Sequence, residues 1–344
     1  MRVKELFLKK SLRDKLITLA IPAAAFIIIE ILSAVGGLSR HMQAMLIPIC
    51  VNVILAVSLN LTVGFLGELT LGHAGFMSVG AYAGCLFSIH MQNMLPASVR
   101  YPLALLVGGL VAALFGILIG IPVLRLKGDY LAIVTLAFGE IIRSVLINLD
   151  FLGGAAGLKG TPQDAGFVSS FVVVMLMLFV IMNMLDSRQG RAVTAIRDNR
   201  IAAESCGLPV TYYKMLAFVV AAFFAGMAGV IYGHNLNILT ASTFDYNKSI
   251  EILVIVVLGG MGSIRGSMIA AVVITVLPEA LRSLDSYRMV MYALLLILIM
   301  LFNGSPRFAS LRDKLNWKGL CQLFRKKKAA QSDAAVGSDS KTVQ

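Results

Sequence analysis

Apolar residues run in ten blocks along this chain, near 16–37, 43–65, 73–91, 101–124, 130–149, 168–185, 214–234, 248–262, 265–282 and 288–303. A helix needs about 20 predominantly apolar residues to cross the hydrocarbon core of a bilayer. The blocks approach that length, with the third, eighth and tenth the weakest. The pattern predicts an all-α, polytopic transmembrane helical bundle of about ten spans. Between the sixth and seventh blocks lies the one long polar segment, residues 187–214. It holds Arg188, Arg191, Arg197, Arg200 and Lys214 against only Asp198 and Glu204. Within it Val193, Ile196, Ile201 and Ala202 recur at roughly helical spacing, which predicts a short amphipathic helix. Such a helix held between spans is read as a docking surface for a cytoplasmic partner.

Composition agrees with a membrane bundle. Of 344 residues, 58% are hydrophobic and 14% charged, more apolar surface than a soluble domain can hide. The net charge of +12 does not point to nucleic acid, because the basic residues sit in short loops and tails beside apolar blocks. There they set topology, since cytoplasmic loops are enriched in Lys and Arg. With ten spans and the N-terminus inside, 22 of the 30 Lys and Arg residues fall on the cytoplasmic side and six on the other. Both ends are thus expected in the cytoplasm. The chain divides into a basic N-terminus (1–15), a transmembrane domain (16–303) and a basic, partly disordered tail (304–344). The N-terminal apolar run exceeds a usual signal core and more spans follow, so it reads as a retained first span. The cluster Arg325 to Lys328 is a stop-transfer signal or a contact for anionic lipid headgroups.

Three stretches could carry chemistry. Residues 60–84 (NLTVGFLGELTLGHAGFMSVGAYAG) place six glycines with Thr, Glu and His where one block ends and the next begins. That density suits a broken segment beside a transport path, or else a tight turn between closely packed helices. Residues 128–160 contain Glu140 and Arg143 inside an apolar block; their i,i+3 spacing puts them on one face, where they can pair. An ionisable group there is costly and faces a bundle interior or a cavity, whether it serves transport or ties two helices together. The following GGAAGLKG lacks the Gly-Lys-Ser/Thr ending of a phosphate loop, and no other stretch supplies one. The chain is therefore not expected to bind ATP or to be an enzyme. Residues 258–266 (LGGMGSIRG) form a second glycine-rich break. The two breaks fit a 5+5 inverted repeat with broken helices at corresponding places, a known transporter plan. Cys50, Cys85, Cys206 and Cys321 are scattered, and His41, His73, His90 and His234 are isolated, so neither a disulfide framework nor a metal site is suggested.

Three stretches, 58–84, 128–154 and 190–233, make residues 45–305 resemble the permease subunits of ATP-driven (ABC) importers for branched-chain amino acids. The likeness is nearest to the M-type of the two paired permeases. The third stretch is the most specific, with a basic loop, a helix and a small-residue span in that order. The resemblance implies a multi-pass protein of the bacterial inner membrane that works with a second permease, two cytoplasmic ATPases and an extracytoplasmic solute-binding protein. It implies no cofactor in this chain, ATP and magnesium being bound by the ATPases. It also implies that 187–214 is the coupling loop, whose docking helix spans about 191–207. Of the family's E-A-A-x-x-x-G pattern, Ala202, Ala203 and Gly207 match and Ile201 replaces the acid. Arg191 and Arg197 complete the expected coupling set. Along the translocation path the residues expected are Asn60, Thr62, Tyr130, Thr135 and Glu140. Permeases of similar pattern move urea or short amides, and a stand-alone secondary transporter is the reading from a different class.

Overall fold

The computed structural model describes residues 18–32, 39–126, 128–280 and 297. The chain divides into two units, Met1–Ala280 and Leu281–Gln344, and every element described belongs to the first. The block expected near 288–303 lies outside the described residues except for Ile297, as do the basic stretch 1–15 and the tail from 304.

The described elements are almost entirely helical. They run α1 (Thr18–Leu32), α2 (Arg40–Asn60), α3 (His73–His90), α4 (Ala97–Val123), α5 (Asp129–Asn148), α6 (Phe167–Asp186), α7 (Arg188–Asp198), α8 (Arg200–Ser205), α9 (Val210–His234), α10 (Tyr246–Gly259) and α11 (Ile264–Ala280). Two two-residue strands, β1 (Leu158–Lys159) and β2 (Ile238–Leu239), pair antiparallel with Leu158 opposite Leu239. Among the described residues five segments are long and apolar enough to cross a membrane: Met42–Leu66, α4, α5, α6 and α9. The blocks expected near 73–91, 248–262 and 265–282 appear as α3, α10 and α11, of 18, 14 and 17 residues. At a rise of about 1.5 Å per residue, α10 spans only about 21 Å, short of a hydrocarbon core of about 30 Å.

The core is built on α9, which packs against α2, α3 and α4. Small residues make this possible, because helices in a membrane gain little from apolar burial and rely on close packing. At Gly80 on α3 a Cβ would stand 2.2 Å from the Gly226 Cα on α9, and at Gly229 it would stand 2.0 Å from the Met77 carbonyl oxygen. Ile54, Leu55, Leu59, Met77, Phe224 and Ile231 fill the space between and are fully buried. At the β-bridge end Arg100, on α4, is buried and donates through Nη2 to Asp164 at 2.6 Å, tying down the connection between α5 and α6.

Not every span is equally covered. The segment Met42–Leu66 and α9 are mostly buried, whereas most of α5 is not. The outer face of α4 carries Leu103, Leu106, Leu110, Leu114 and Leu118 at helical spacing, all exposed. An apolar stripe of this kind is at home against lipid or another hydrophobic helix. The exposed side of α5 differs, since charged groups lie on it.

Candidate functional site

The first glycine-rich stretch is a broken segment rather than a tight turn. After Asn60 the helix widens into a π-helical turn, Leu61–Leu66, which ends at Gly67 with φ 78°. That left-handed conformation favours glycine. Residues 67–72 are not helical, and α3 begins at His73. His73 Nε2 lies 2.9 Å from Ser58 Oγ. Ser58 precedes Leu66 by eight residues, about 12 Å along a helix. The chain therefore doubles back beside α2 before α3 starts, and re-enters the bundle as unpaired backbone. Such backbone is tolerated in a membrane protein only where protein or water satisfies it. Here protein does so: Thr135 Oγ1 on α5 accepts from Leu71 N at 3.0 Å and donates to the Ala132 carbonyl at 2.9 Å. The Thr62 and Thr70 hydroxyls are 3.4 Å apart. Glu68 pairs with Lys214 at the start of α9, and the Lys214 side chain is 3% exposed.

The second break meets the first. Gly260 and Gly262 have φ of 89° and 81°, turning the chain from α10 into α11. The buried Asn60 amide reaches this turn and makes three hydrogen bonds there. Nδ2 donates to the Ser263 carbonyl at 3.1 Å and to Ser267 Oγ at 2.9 Å, while Oδ1 accepts from Gly262 N at 2.8 Å. The approach requires glycine at position 64, where a Cβ would stand 1.9 Å from Asn60 Oδ1 and 2.2 Å from Gly262 N. Nearer the other end of α10, Ser249 Oγ accepts from Ala74 N at 3.2 Å, joining the start of α10 to the start of α3. Lys248 Nζ lies 3.1 Å from Glu251 and 3.3 Å from Asn52 Oδ1, and Asn52 Nδ2 donates to Thr275 at 2.9 Å. Lys248 opens the apolar block 248–262. The structure sets it beside the middle of α2, because α10 starts part-way along its neighbour.

Beneath this junction lies the polar segment. It folds as two helices where the resemblance implies one of about 191–207. Ser187 Oγ caps α7 by accepting from Gln189 N and Gly190 N. Asn199, extended at φ −156°, breaks the run and caps α8 by accepting from Ala202 N. Asn competes well for such cap positions because its short side chain reaches the free amides of the next turn. Gly207, at φ 79°, ends α8, and Pro209 precedes α9. Val193, Ile196 and Ala203 face inward and form a buried cluster with Leu61, Leu66, Val210 and Ala217. Arg191, Ala202 and Gly207 are exposed, and Ile201 is 77% exposed.

Of the residues expected on a path, Asn60, Thr62 and Thr135 are buried and bonded within the chain, where they hold the first break in shape. Tyr130 is exposed. Glu140 pairs with Arg143 at 2.8 Å, and each side chain is about 30% exposed (30% and 29%). Of the coupling set, Arg191, Ala202 and Gly207 lie at the surface and Ala203 is turned inward. Arg197 is divided between the two, with Nη1 donating to the Gly64 carbonyl at 3.2 Å. Ser58, Ser263 and Ser267 carry no individual signal in the sequence, and the contacts of Ser263 and Ser267 with Asn60 join residues some two hundred positions apart. Among the described residues no three His, Cys, Asp or Glu side chains gather as a metal site would need.

Comparison with known proteins agrees with this architecture. The family described as branched-chain amino acid transport system / permease component matches residues 42–301, which include both breaks and the α7–α8 hairpin. The high-affinity branched-chain amino acid transport system permease protein LivM of Salmonella typhimurium is 35% identical over 303 residues, 78% of this chain and 70% of its own length. Its Escherichia coli counterpart is 34% identical over the same shares. The ribose import permease protein RbsC of Haemophilus influenzae is 26% identical, covering 73% of this chain and 81% of its own. With the family match extending over most of its length, this helical membrane protein belongs to the permease components of the branched-chain amino acid transport systems.

Proposed function

We propose that this chain is the membrane-spanning permease subunit of an ATP-driven importer for branched-chain amino acids. In this reading it forms part of the translocation path, and its α7–α8 hairpin receives the motion of a cytoplasmic ATPase. The observation that carries the reading is the two-sided build of the hairpin. Its inner face (Val193, Ile196, Ala203) is packed against the first break, while Arg191, Ile201 and Ala202 remain open on the other side. A surface that is apolar and cationic at once, on a short element packed against broken helices, is suited to take up a push from outside the membrane. The absence of a phosphate loop from the sequence agrees, since the energy source must then attach from another chain; ATP and magnesium would be bound there.

The second permease is supported by α5. A Glu140–Arg143 pair that is partly open in the middle of a span is too costly to face hydrocarbon, so protein or water covers it. We place the path along this face, between the two permeases, with Tyr130 and Glu140 on it. Asn60, Thr62 and Thr135 would support the path from behind. Substrate class rests on the relatives' names, and solute selection on an external binding protein. The charge bias favours ten spans with both termini in the cytoplasm of a bacterial inner membrane. The meeting of two broken segments at Asn60 is the arrangement that an inverted repeat of five plus five spans would produce. Transport would proceed by rocking of the two permeases about the path, with no covalent chemistry in this chain.

The test is reconstitution with the partner permease, the ATPases and the binding protein in liposomes. Uptake of leucine, isoleucine and valine is expected only with ATP and the binding protein. A cysteine at position 201 is expected to crosslink to the ATPase. Uptake by the chain alone, driven by an ion gradient, would instead establish a secondary transporter. Uptake of urea or amides in place of these amino acids would reassign the substrate.

A further inference from the structure

Arg197 closes α7, where a residue that served only to meet a partner would point away from the bundle. Its planar guanidinium is held from two directions instead. Nε and Nη2 donate to Asp198 Oδ1 at 3.0 and 2.9 Å, and Nη1 donates to the Gly64 carbonyl at 3.2 Å. The aliphatic stem passes over Gly67, where a Cβ would stand 2.7 Å from Arg197 Cγ. The lack of a side chain at position 67 is what opens this route. On the other side Nη1 comes within 3.7 Å of the position a Gly262 Cβ would take. One side chain thus joins α7 to the π-helical turn of the first break and stands beside the second.

The location of the accepting carbonyl matters. Gly64 lies in the turn that follows Asn60, and its backbone is pressed against Gly262. A π-helical turn is a sparsely used geometry, found mostly at functional positions, and an outside donor on one of its carbonyls helps to hold it. The apolar contacts beneath α7 are non-directional and allow sliding. A charge-assisted hydrogen bond from a planar fork is directional and fixes distance and angle together. A displacement of the hairpin would reach the junction in a defined direction only through such a bond. We propose that Arg197 is the coupling link of this chain: it transmits movement of the α7–α8 hairpin to the Asn60 junction, so that both broken segments shift as one. This rests on the hairpin being the ATPase-docking element, and it assigns Arg197 a positioning role within the permease in place of a contact with the ATPase.

The experiment uses the assembled transporter in liposomes and Arg197→Met, which keeps an unbranched stem and removes the donors. Expected are normal co-purification of the ATPase, ATP hydrolysis within about threefold of the parent, and solute uptake per ATP reduced at least tenfold. Arg197→Lys, which retains the charge but not the planar fork, is expected to recover only a small part of that loss. A second measurement follows the junction itself. With Cys206 and Cys321 replaced by Ser, the labelling rate of Ser263→Cys is expected to change when ATP is added, and Arg197→Met is expected to abolish the change. Unaltered uptake per ATP in Arg197→Met, or an ATP response at position 263 that persists, overturns the proposal. So does a normally inserted Arg197→Met chain that no longer retains the ATPase, because Arg197 would then be a docking contact. If Arg197→Met is degraded before assembly, Arg197→Gln, too short to span to Gly64, is read in the same way. Crosslinking from position 201 in the parent background tests docking separately. Its failure with Arg197 intact would remove the docking reading, whatever Arg197 does.

Discussion

Replacing Asn60 by Ala would release the second broken segment from the first. The substitution deletes three hydrogen bonds and leaves Gly262 N and the Ser267 hydroxyl without their partner, while the Ser263 carbonyl still accepts from Ser267 N at 3.1 Å. A typical intramolecular bond contributes about 1 kcal/mol net, and a buried group left unsatisfied costs about 1–3 kcal/mol. Ser267 is buried, but Gly262 is only half-buried, so water can recover part of the loss there. The expected cost is about 2–4 kcal/mol, concentrated at the junction. At 1.4 kcal/mol per factor of ten, local opening would become about 30- to 1,000-fold more frequent. Amide hydrogen exchange of the purified protein reports this directly. Residues 260–267 should exchange faster by that factor, while the middle of α9, which is not hydrogen-bonded to Asn60, should keep its protection. Asn60→Asp should behave no better, because a carboxylate can still accept from Gly262 N but presents oxygen to the Ser263 carbonyl. Exchange at 260–267 within threefold of the parent in Asn60→Ala would refute the view that this amide joins the two breaks.

Three further outcomes follow from the same contacts. Lys214→Met should cost about 3–5 kcal/mol by stranding the poorly exposed Glu68; adding Glu68→Gln should restore much of it, read as thermal stability in detergent. Gly80→Val should split α3 from α9, since even a Cβ meets the Gly226 backbone at 2.2 Å. Overpacking usually costs about 1–3 kcal/mol, and this contact is backbone on both sides. Folded yield should therefore fall sharply, whereas the same change at Gly160, with nothing within 4 Å, should be felt only through its φ of 82°. Ile201→Arg should weaken ATPase retention while leaving the permease as stable as the parent. Ala203→Trp should instead lower permease stability itself, because Ala203 is packed inward; equal effects on stability would contradict the two-sided hairpin.

Much of this architecture is legible in the linear chain. Runs of apolar residues mark the spans because burial in hydrocarbon is decided residue by residue. The polar, basic segment 187–214 stands out for the converse reason. Glycine density marks the breaks at 64–72 and 259–266, since a left-handed turn or a close backbone approach leaves little choice of residue. Spacing alone puts Glu140 and Arg143 on one face, and they do pair.

Other features depend on residues far apart meeting in space. Asn60 reads locally as a polar residue at the end of a span; its partners at 262, 263 and 267 lie some two hundred positions on. Lys214 reads as a loop charge until the start of α9 sets it against Glu68. Helical periodicity extends α7 through Asn199, but the side chain there caps a second helix, and packing against Leu61 and Leu66 turns Ala203 inward and Ile201 outward. Arg197 shares its basic character with its neighbours and differs from them only because glycine at position 67 lets it through. Hydropathy and periodicity record how each stretch prefers to be solvated. Which polar groups satisfy one another at a break is settled only when the helices pack, because a buried donor takes whatever acceptor the tertiary structure brings within about 3 Å.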